Sequence, residues 1–183
     1  PSQVWQNWID YYKATGYSVE EGSREEAGDT LTLGDVVFSM DMPDGDFAFT
    51  IPQVVMQATG DGRVVTGMAD QSTGTLRTVD EEGRDVTIAF TVALPGAEVV
   101  SSGTPEDMTD EGMVPSLTVN VDEVRTHDQS FADPVRITSA DMTYSQRIAK
   151  GDLMRAEFEV ATGQTDMAVD VSGLDDEGRD FTA

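Results

Sequence analysis

The segment TLTLGDVVFSMDM, residues 30–42, carries an alternating apolar pattern that changes phase in its middle. Leu31 and Leu33 are two residues apart, as are Val36 and Phe38, but a spacing of three separates the two pairs. Side chains two apart on a strand point to one face, so the spacing of three would move the second pair to the opposite face. One extra residue at that point, as in a β-bulge, returns both pairs to the same face. The segment therefore predicts one long, bent strand.

The same pattern recurs three more times, starting at Phe49, Val119 and Val135. We therefore predict four long strands, each bent by a β-bulge at the same relative position. Turn-forming residues at 43–46 predict an antiparallel hairpin between the first two. Shorter alternating stretches predict further strands, at residues 64–69, 75–79, 86–94, 153–161 and 167–171. The pattern is poor over residues 97–113, where no strand is predicted.

An apolar stripe near the N-terminus predicts the one helix of the chain, at residues 2–15. Its members, Trp5, Trp8, Ile9 and Tyr12, are spaced as i, i+3, i+4 and i+7, which places them on one helical face. We expect this face to pack on the sheet or to close one open end of it, the alternative being a mobile lid or a partner-docking helix. The fold class is therefore mainly β: long bent antiparallel strands in a curved meander or two-layer sheet, with one N-terminal α-helix.

The order of parts in the first half of the chain returns in the second half, which indicates an internal duplication within a single β-rich region, residues 1–183. The copies span about residues 28–95 and 115–183. Their acidic tips, EEGRDVT at 81–87 and DEGRDFT at 176–182, correspond closely. In the first copy a strand follows the tip, whereas the second copy stops at Ala183. We therefore expect the natural chain to continue beyond this residue.

The composition is strongly acidic, with 35 Asp and Glu residues against 11 Lys and Arg and a net charge of −24. Such a charge opposes binding to nucleic-acid backbones or anionic membrane surfaces by electrostatics alone, so no nucleic-acid partner is predicted. The absence of cysteine excludes disulfides and thiolate metal sites. No apolar run approaches the roughly 20 residues of a transmembrane helix. We expect a soluble protein without a transmembrane segment. It opens at Pro1 without a signal peptide, as a mature or trimmed form would.

The segments VWQNWIDYYKATGYSV and GDTLTLGDVVFSMDMPDG resemble the start of a family of uncharacterised alphaproteobacterial envelope proteins, the domain of unknown function twenty-one twenty-five. The resemblance implies an exported, periplasmic protein that is considerably longer than this chain. No catalytic motif is known for the family, so no functional residue is carried over. More loosely, long strand meanders of envelope proteins are similar to periplasmic lipid-handling proteins, whose bent sheets hold acyl chains; this is an analogy of fold.

We predict a non-enzymatic protein that binds or shields a hydrophobic ligand such as a lipid. If the bends curl the sheet into a trough, a set of apolar residues could line a groove for an acyl chain, the alternative being a closed core between two sheet layers. The candidate lining residues are Phe38, Met40, Phe47, Phe49, Met56, Phe90, Met142, Tyr144 and Phe158. The second hypothesis is a structural or interaction module that docks on a protein partner or a larger assembly through its sheet edges.

Other site chemistry has weaker support in the sequence. No catalytic residue is predicted, because the single histidine, His127, lies in a loop without a base–nucleophile arrangement. No cofactor is predicted either, with calcium at the acidic hairpin tips as the alternative, since calcium takes several oxygen ligands from short loops. The candidate ligands are Asp41, Asp44 and Asp46 at one tip and Asp175, Asp176, Glu177 and Asp180 at another. Residues 80–85 form a similar tip. Solvated tips that keep strand edges apart are the other interpretation.

Overall fold

A computed structural model describes residues 1–151, 154–169, 172–174 and 180–182. These residues form one helix, α1 (Ser2–Ala14), and a mainly β structure. The strands are β1 (Ser18–Ala27), β2 (Thr30–Met42), β3 (Gly45–Ala58), β4 (Val64–Met68), β5 (Gln71–Val79), β6 (Asp85–Ala93), β7 (Glu98–Thr104), β8 (Asp107–Arg125), β9 (Ser130–Ala149), β10 (Arg155–Ala161), β11 (Thr165–Val169), β12 (Ser172–Leu174) and β13 (Asp180–Thr182). The strands β12 and β13 pair only with each other, and the other eleven form one sheet. The predicted fold class is confirmed.

The eleven-stranded sheet is an antiparallel meander of eight long segments. The strands β4 and β5 lie end to end along β3. On their other side, β7 pairs with β4 and β6 pairs with β5, so these two also lie end to end. The strands β10 and β11 lie end to end along β9. The strand β8 spans both β7 and β6. Each long segment therefore pairs with the next segment along the chain, which is the simplest order for strands joined by hairpins.

One line of breaks, which we call the crease, crosses all eight segments. Ladder pairing is interrupted there, and on β2 and β9 the break is an aspartate with positive φ, 49° at Asp35 and 51° at Asp141. Aspartate is one of the few residues other than glycine that tolerate this conformation. In segment order, the residues on the crease are Gly22, Asp35, Pro52, Ala69 and Asp70, residues 94–97, Pro115, Asp141 and Gly163.

The phase change of β2 occurs at the crease, and it keeps both apolar pairs on one face as predicted. Leu31, Leu33, Val36 and Phe38 are all buried. The predicted β-bulge is wrong at this place, however, because β2 keeps the same register with β1 and β3 on both sides of Asp35. The neighbouring segments β1 and β3 change phase at the same line, so neither needs an extra residue relative to β2.

The other predicted phase changes differ from one another. In β3 the change lies at Pro52, again without a shift of register to β2. In β8 a true β-bulge occurs, because Val121 and Glu123 pair with consecutive residues of β6 and leave Asp122 as the extra residue. The pattern that starts at Val135 predicts that Val135, Ile137, Ala140 and Met142 share the apolar face of β9. This is wrong for Ala140, which is exposed, because the break lies one residue later, at Asp141.

The crease divides the sheet into two halves. The covered half, on which α1 packs, comprises residues 23–34, 53–68, 97–114 and the described part of 142–161. The open half comprises residues 18–21, 36–51, 71–93, 116–140 and 165–169. The core lies between α1 and the covered half and reaches just across the crease. Its buried apolar members are Trp5, Ile9, Leu31, Leu33, Val36, Phe38, Val54, Met56 and Val64.

Residues 97–113, where no strand was predicted, form β7 and the first part of β8. Their inward positions include Ser101, Asp110 and Gly112 instead of large apolar residues, which removes the alternating signal. The buried polar side chains are satisfied locally, since the Ser101 hydroxyl donates to Asp110 over 2.6 Å. The strand is therefore formed through tertiary hydrogen bonds that local sequence does not reveal.

Candidate functional site

The inner face of the open half, on strands β2, β3, β5, β6, β8, β9 and β11, is apolar across seven segments. Residues paired directly across an antiparallel ladder share a face, so the register identifies the members. The larger ones are Met40, Phe47, Phe49, Leu76, Ile88, Phe90, Val92, Val119, Val121, Val135, Ile137, Met167 and Val169. None of the residues that the register places on these strands' inner face is charged. We call this surface the open apolar face.

The open apolar face is large for an uncovered surface. Seven segments spaced about 4.8 Å apart, with about 20 Å of strand on each, give an area on the order of 600 Å². The largest apolar patch of a typical monomer is about 300–600 Å² and often functional. Most of its side chains are half-buried, and those of Met167 and Val169 are exposed. The same face of the covered half lies beneath α1 and is largely buried, so the crease separates a covered from an uncovered surface.

An aromatic cluster lies at the centre of the open apolar face. The Phe90 ring stacks beside Phe47 and Phe49, with ring centroids 6.1 and 6.2 Å apart. Gly74 lies beneath it, where a Cβ would come within 2.2 Å of the ring. Glycine at this position therefore gives Phe90 the space to lie flat across the neighbouring strand.

The structure separates the nine predicted lining residues into two groups. Those on the open half are Phe38, Met40, Phe47, Phe49 and Phe90, and those on the covered half are Met56, Met142, Tyr144 and Phe158. Met56 is fully buried in the core, and Phe158 is 67% exposed on the last segment. The nine residues therefore do not line one surface. The predicted lining set omitted the aliphatic residues of the open apolar face on β6, β8 and β9. The alternation of apolar residues along these strands was visible in the sequence and could have identified them.

The predicted contact face of α1 packs on the sheet. Trp5 and Ile9 are buried, and Trp8 and Tyr12 pack against the same cluster. Polar bonds hold the helix to β1, to the region of β7 and β8, and to the residue that follows β9. The hydrogen bonds, each written from donor to acceptor, are Trp5 Nε1 to Glu21 (2.6 Å), Trp8 Nε1 to Asp110 (3.0 Å), Asn7 Nδ2 to the Pro105 carbonyl (3.2 Å), and Lys150 Nζ to Asn7 (2.8 Å) and Asp10 (2.7 Å). The helix thus bridges strands from β1 to the end of β9.

A cavity of about 110 Å³ remains between α1 and the sheet, next to the crease. Its walls come from the helix, from both sides of the crease and from the far strands of the covered half. The lining residues are Trp5, Trp8, Tyr11, Tyr12, Phe38, Ile51, Val54, Met68, Val99, Tyr144, Gln146 and Ile148. Most of these side chains are apolar or aromatic. Ligand sites usually have volumes of about 300–1,000 Å³, so this cavity is too small for a whole lipid.

A buried carboxylate lies under α1. Asp110 is 1% exposed, and its two oxygens accept hydrogen bonds from the Ser101 hydroxyl and the Trp8 indole. Burial raises the pKa of Asp110 above its usual value, and the two hydrogen bonds oppose this shift. Burial also raises the pKa of Tyr144 and of Tyr12, with the Asp110 charge adding to both shifts.

We expect Asp110→Asn to make the free energy of unfolding less dependent on pH. A carboxyl with a raised pKa in the folded state costs stability when it ionises, so the cost is full above that pKa and vanishes below the unfolded value. An asparagine can accept from Trp8 and donate to Ser101 without this cost. The variant should therefore match or exceed the original protein at pH 7, by up to about 1 kcal/mol, and lose this advantage near pH 4. Urea titrations at both pH values measure the free energy of unfolding of the two proteins. A variant markedly less stable than the original protein at pH 7 would contradict the prediction.

The predicted metal ligands do not converge where the structure describes them. Asp46 pairs with Arg77, with the closest atoms 3.4 Å apart, and Asp80 pairs with Arg84 over 2.7 Å. Within the described residues no group of three or more His, Asp or Glu side chains is arranged to hold a metal ion. Residues 175–177, and the side chain of Asp180, lie outside the described residues. Calcium binding at the tips stays a prediction. The His127 ring contacts the Asp128 carboxylate on the surface.

No family model, curated protein or solved structure matches this chain. The resemblance to the envelope protein family therefore stays a prediction, as does the internal duplication. In the part of the chain that the structure describes, no helix has the length and hydropathy needed to cross a membrane.

Proposed function

We propose that this protein binds a hydrophobic ligand with an acyl chain, such as a lipid, on the open apolar face, and that it acts without catalysis. The observation that carries the proposal is the uninterrupted uncharged surface on seven adjacent segments, in a chain with 35 acidic residues. A surface of this composition is costly to expose to water, at about 25 cal/mol per Å². A ligand that covers this surface removes that free-energy cost, and the gain favours binding.

The charge of the protein favours a neutral apolar occupant over other candidates. Two copies of the chain would each carry a net charge of −24, so their association through this face would be opposed by electrostatic repulsion. Nucleic acid and anionic membrane surfaces are disfavoured for the same reason. An acyl chain has no charge and needs no hydrogen bonds, which agrees with the residues on the face.

The proposal is tested by binding assays on the protein and two variants with adjacent substitutions. Ile88 lies on the open apolar face and Thr87 on the opposite face, where its paired residues include Arg77 and Arg125. We expect Ile88→Asp to weaken binding of a fluorescent monoacylglycerol at least about tenfold, because the ligand would cover a carboxylate. Thr87→Asp adds the same charge without reaching the face and should leave binding unchanged.

Solvent extraction and mass spectrometry of the purified protein identify a ligand that co-purifies. Lipid in the original protein and in Thr87→Asp, but not in Ile88→Asp, would support the proposal. Melting curves show whether each variant is folded. Equal binding by both variants, or no binding of any acyl compound by the original protein, would rule it out.

We also propose an exported, periplasmic location for this protein. This proposal rests on the resemblance of the N-terminal segments to the envelope family, and fractionation of cells that produce the full natural chain would test it.

A second candidate function is docking of a protein partner along the last segment. The strands β10 and β11 pair with β9 on one side only among the described residues. Their exposed apolar side chains are Phe158, Val160, Met167 and Val169, with 50–67% of their surface accessible. An edge of this kind can pair with an added strand. A purified protein free of lipid that forms a stable complex through this edge would favour this function.

A further inference from the structure

We infer that the cavity beneath α1 receives the terminal, methyl end of the acyl chain that lies on the open apolar face. The inference rests on the proposed function and adds which end of the ligand enters and what limits its length.

The cavity and the open apolar face share residues at the crease. Phe38 and Ile51 lie on the inner face of the open half, at its boundary with the crease, and both also line the cavity. The Tyr12 ring of α1 packs edge-on against Phe38, with centroids 4.8 Å apart. A chain that lies along the face therefore reaches the cavity lining at Phe38 and Ile51, without crossing a charged residue of that face.

The chemistry of the walls determines which end of the ligand enters. Two carboxylates bond to lining residues from outside the cavity: Asp110 accepts from Trp8, and Glu21 accepts from Trp5. Both Asp110 oxygens already accept hydrogen bonds. A buried carboxylate repels an anionic head group and has no free oxygen aimed at a neutral one. The apolar walls instead favour the methyl end.

The volume limits how much of the chain enters. A cavity of about 110 Å³ is somewhat smaller than the engineered apolar cavity of about 150 Å³ that binds a benzene ring. Only a few terminal carbons fit, and the rest of the chain remains on the open apolar face. The size of the cavity would therefore determine which acyl chain length binds most tightly.

The test measures the affinity for neutral monoacylglycerols of increasing chain length, in the protein and in two variants of cavity-lining residues. Val99→Phe fills the cavity and should shift the preferred chain length downward. Ile148→Ala enlarges it and should shift the preference upward. Each methylene excluded from the cavity is expected to weaken binding about fourfold. Thr87→Phe, which adds the same ring on the opposite face of the open half, serves as the control and should leave the preferred length unchanged.

The outcomes separate this inference from the proposed function. Opposite shifts in the two cavity variants support the inference. Binding with the same preferred length in both variants overturns it, while leaving the proposed function intact. No binding of any monoacylglycerol overturns both. If Val99→Phe does not fold, as judged by its melting curve, Ile148→Ala alone decides, and an unchanged preference then overturns the inference.

Discussion

Replacing Val36 by Asp is expected to lower the free energy of unfolding by at least about 3 kcal/mol, because it buries a charge without a partner. Val36 is fully buried against the core cluster beneath α1. It follows the phase change of β2 directly, so it is buried only because the strand alternation is reset at Asp35. Small domains have total stabilities of about 5–15 kcal/mol, so we expect the variant to be partly unfolded at neutral pH. Urea unfolding followed by circular dichroism measures the loss.

The matched control is Val37→Asp, which places the same charge one residue later on the opposite face. Val37 is only partly buried and is paired with Thr50 on β3. We expect a loss below about 1 kcal/mol, as for an ordinary surface substitution. If Val37→Asp were the more damaging variant, the alternation of β2 would run straight through Asp35 and the crease would be wrong.

Replacing Trp5 by Ala is expected to cost about 3–5 kcal/mol, the usual range for deleting a buried Trp or Phe side chain. Trp5 is 2% exposed and packs edge-on against Trp8, with ring centroids 6.2 Å apart. Its indole also donates to Glu21 over 2.6 Å, which joins the helix to β1. The substitution removes both the packing and this bond, so α1 should also detach more readily. Thermal and urea unfolding measure the stability, and tryptophan fluorescence reports the remaining Trp8.

The control for Trp5 is Gln6→Ala on the same helix. Gln6 is exposed, and its side-chain bond joins it only to Asp10, one turn away. We expect a change within about 0.5 kcal/mol, since alanine has a good helix propensity and no buried contact is lost. A similar loss in both variants would mean that α1 is held by its own helix propensity instead of its contacts with the sheet.

The long strands and the helix were predictable because their signals are local. The strand β2 was predicted with its observed bounds, and the spacing of Trp5, Ile9 and their neighbours located the buried face of α1. The strand β7 was not predictable, because its buried Ser101 replaces an apolar residue and is satisfied by Asp110 from another strand. Local patterns record burial in an apolar core, but they do not record which polar groups meet after folding.

The sequence alone determined an acidic chain of long antiparallel strands whose apolar face survives a change of phase, because alternation and charge are properties of each segment. The tertiary structure alone decided that breaks on all eight segments align into one crease across the sheet, since register between segments depends on every hairpin. It also decided that α1 covers only one half of the sheet, because the partners that fix the helix, Glu21, Asp110 and Lys150, come from segments far apart in the chain. The uncovered half is the surface on which the proposed ligand binds.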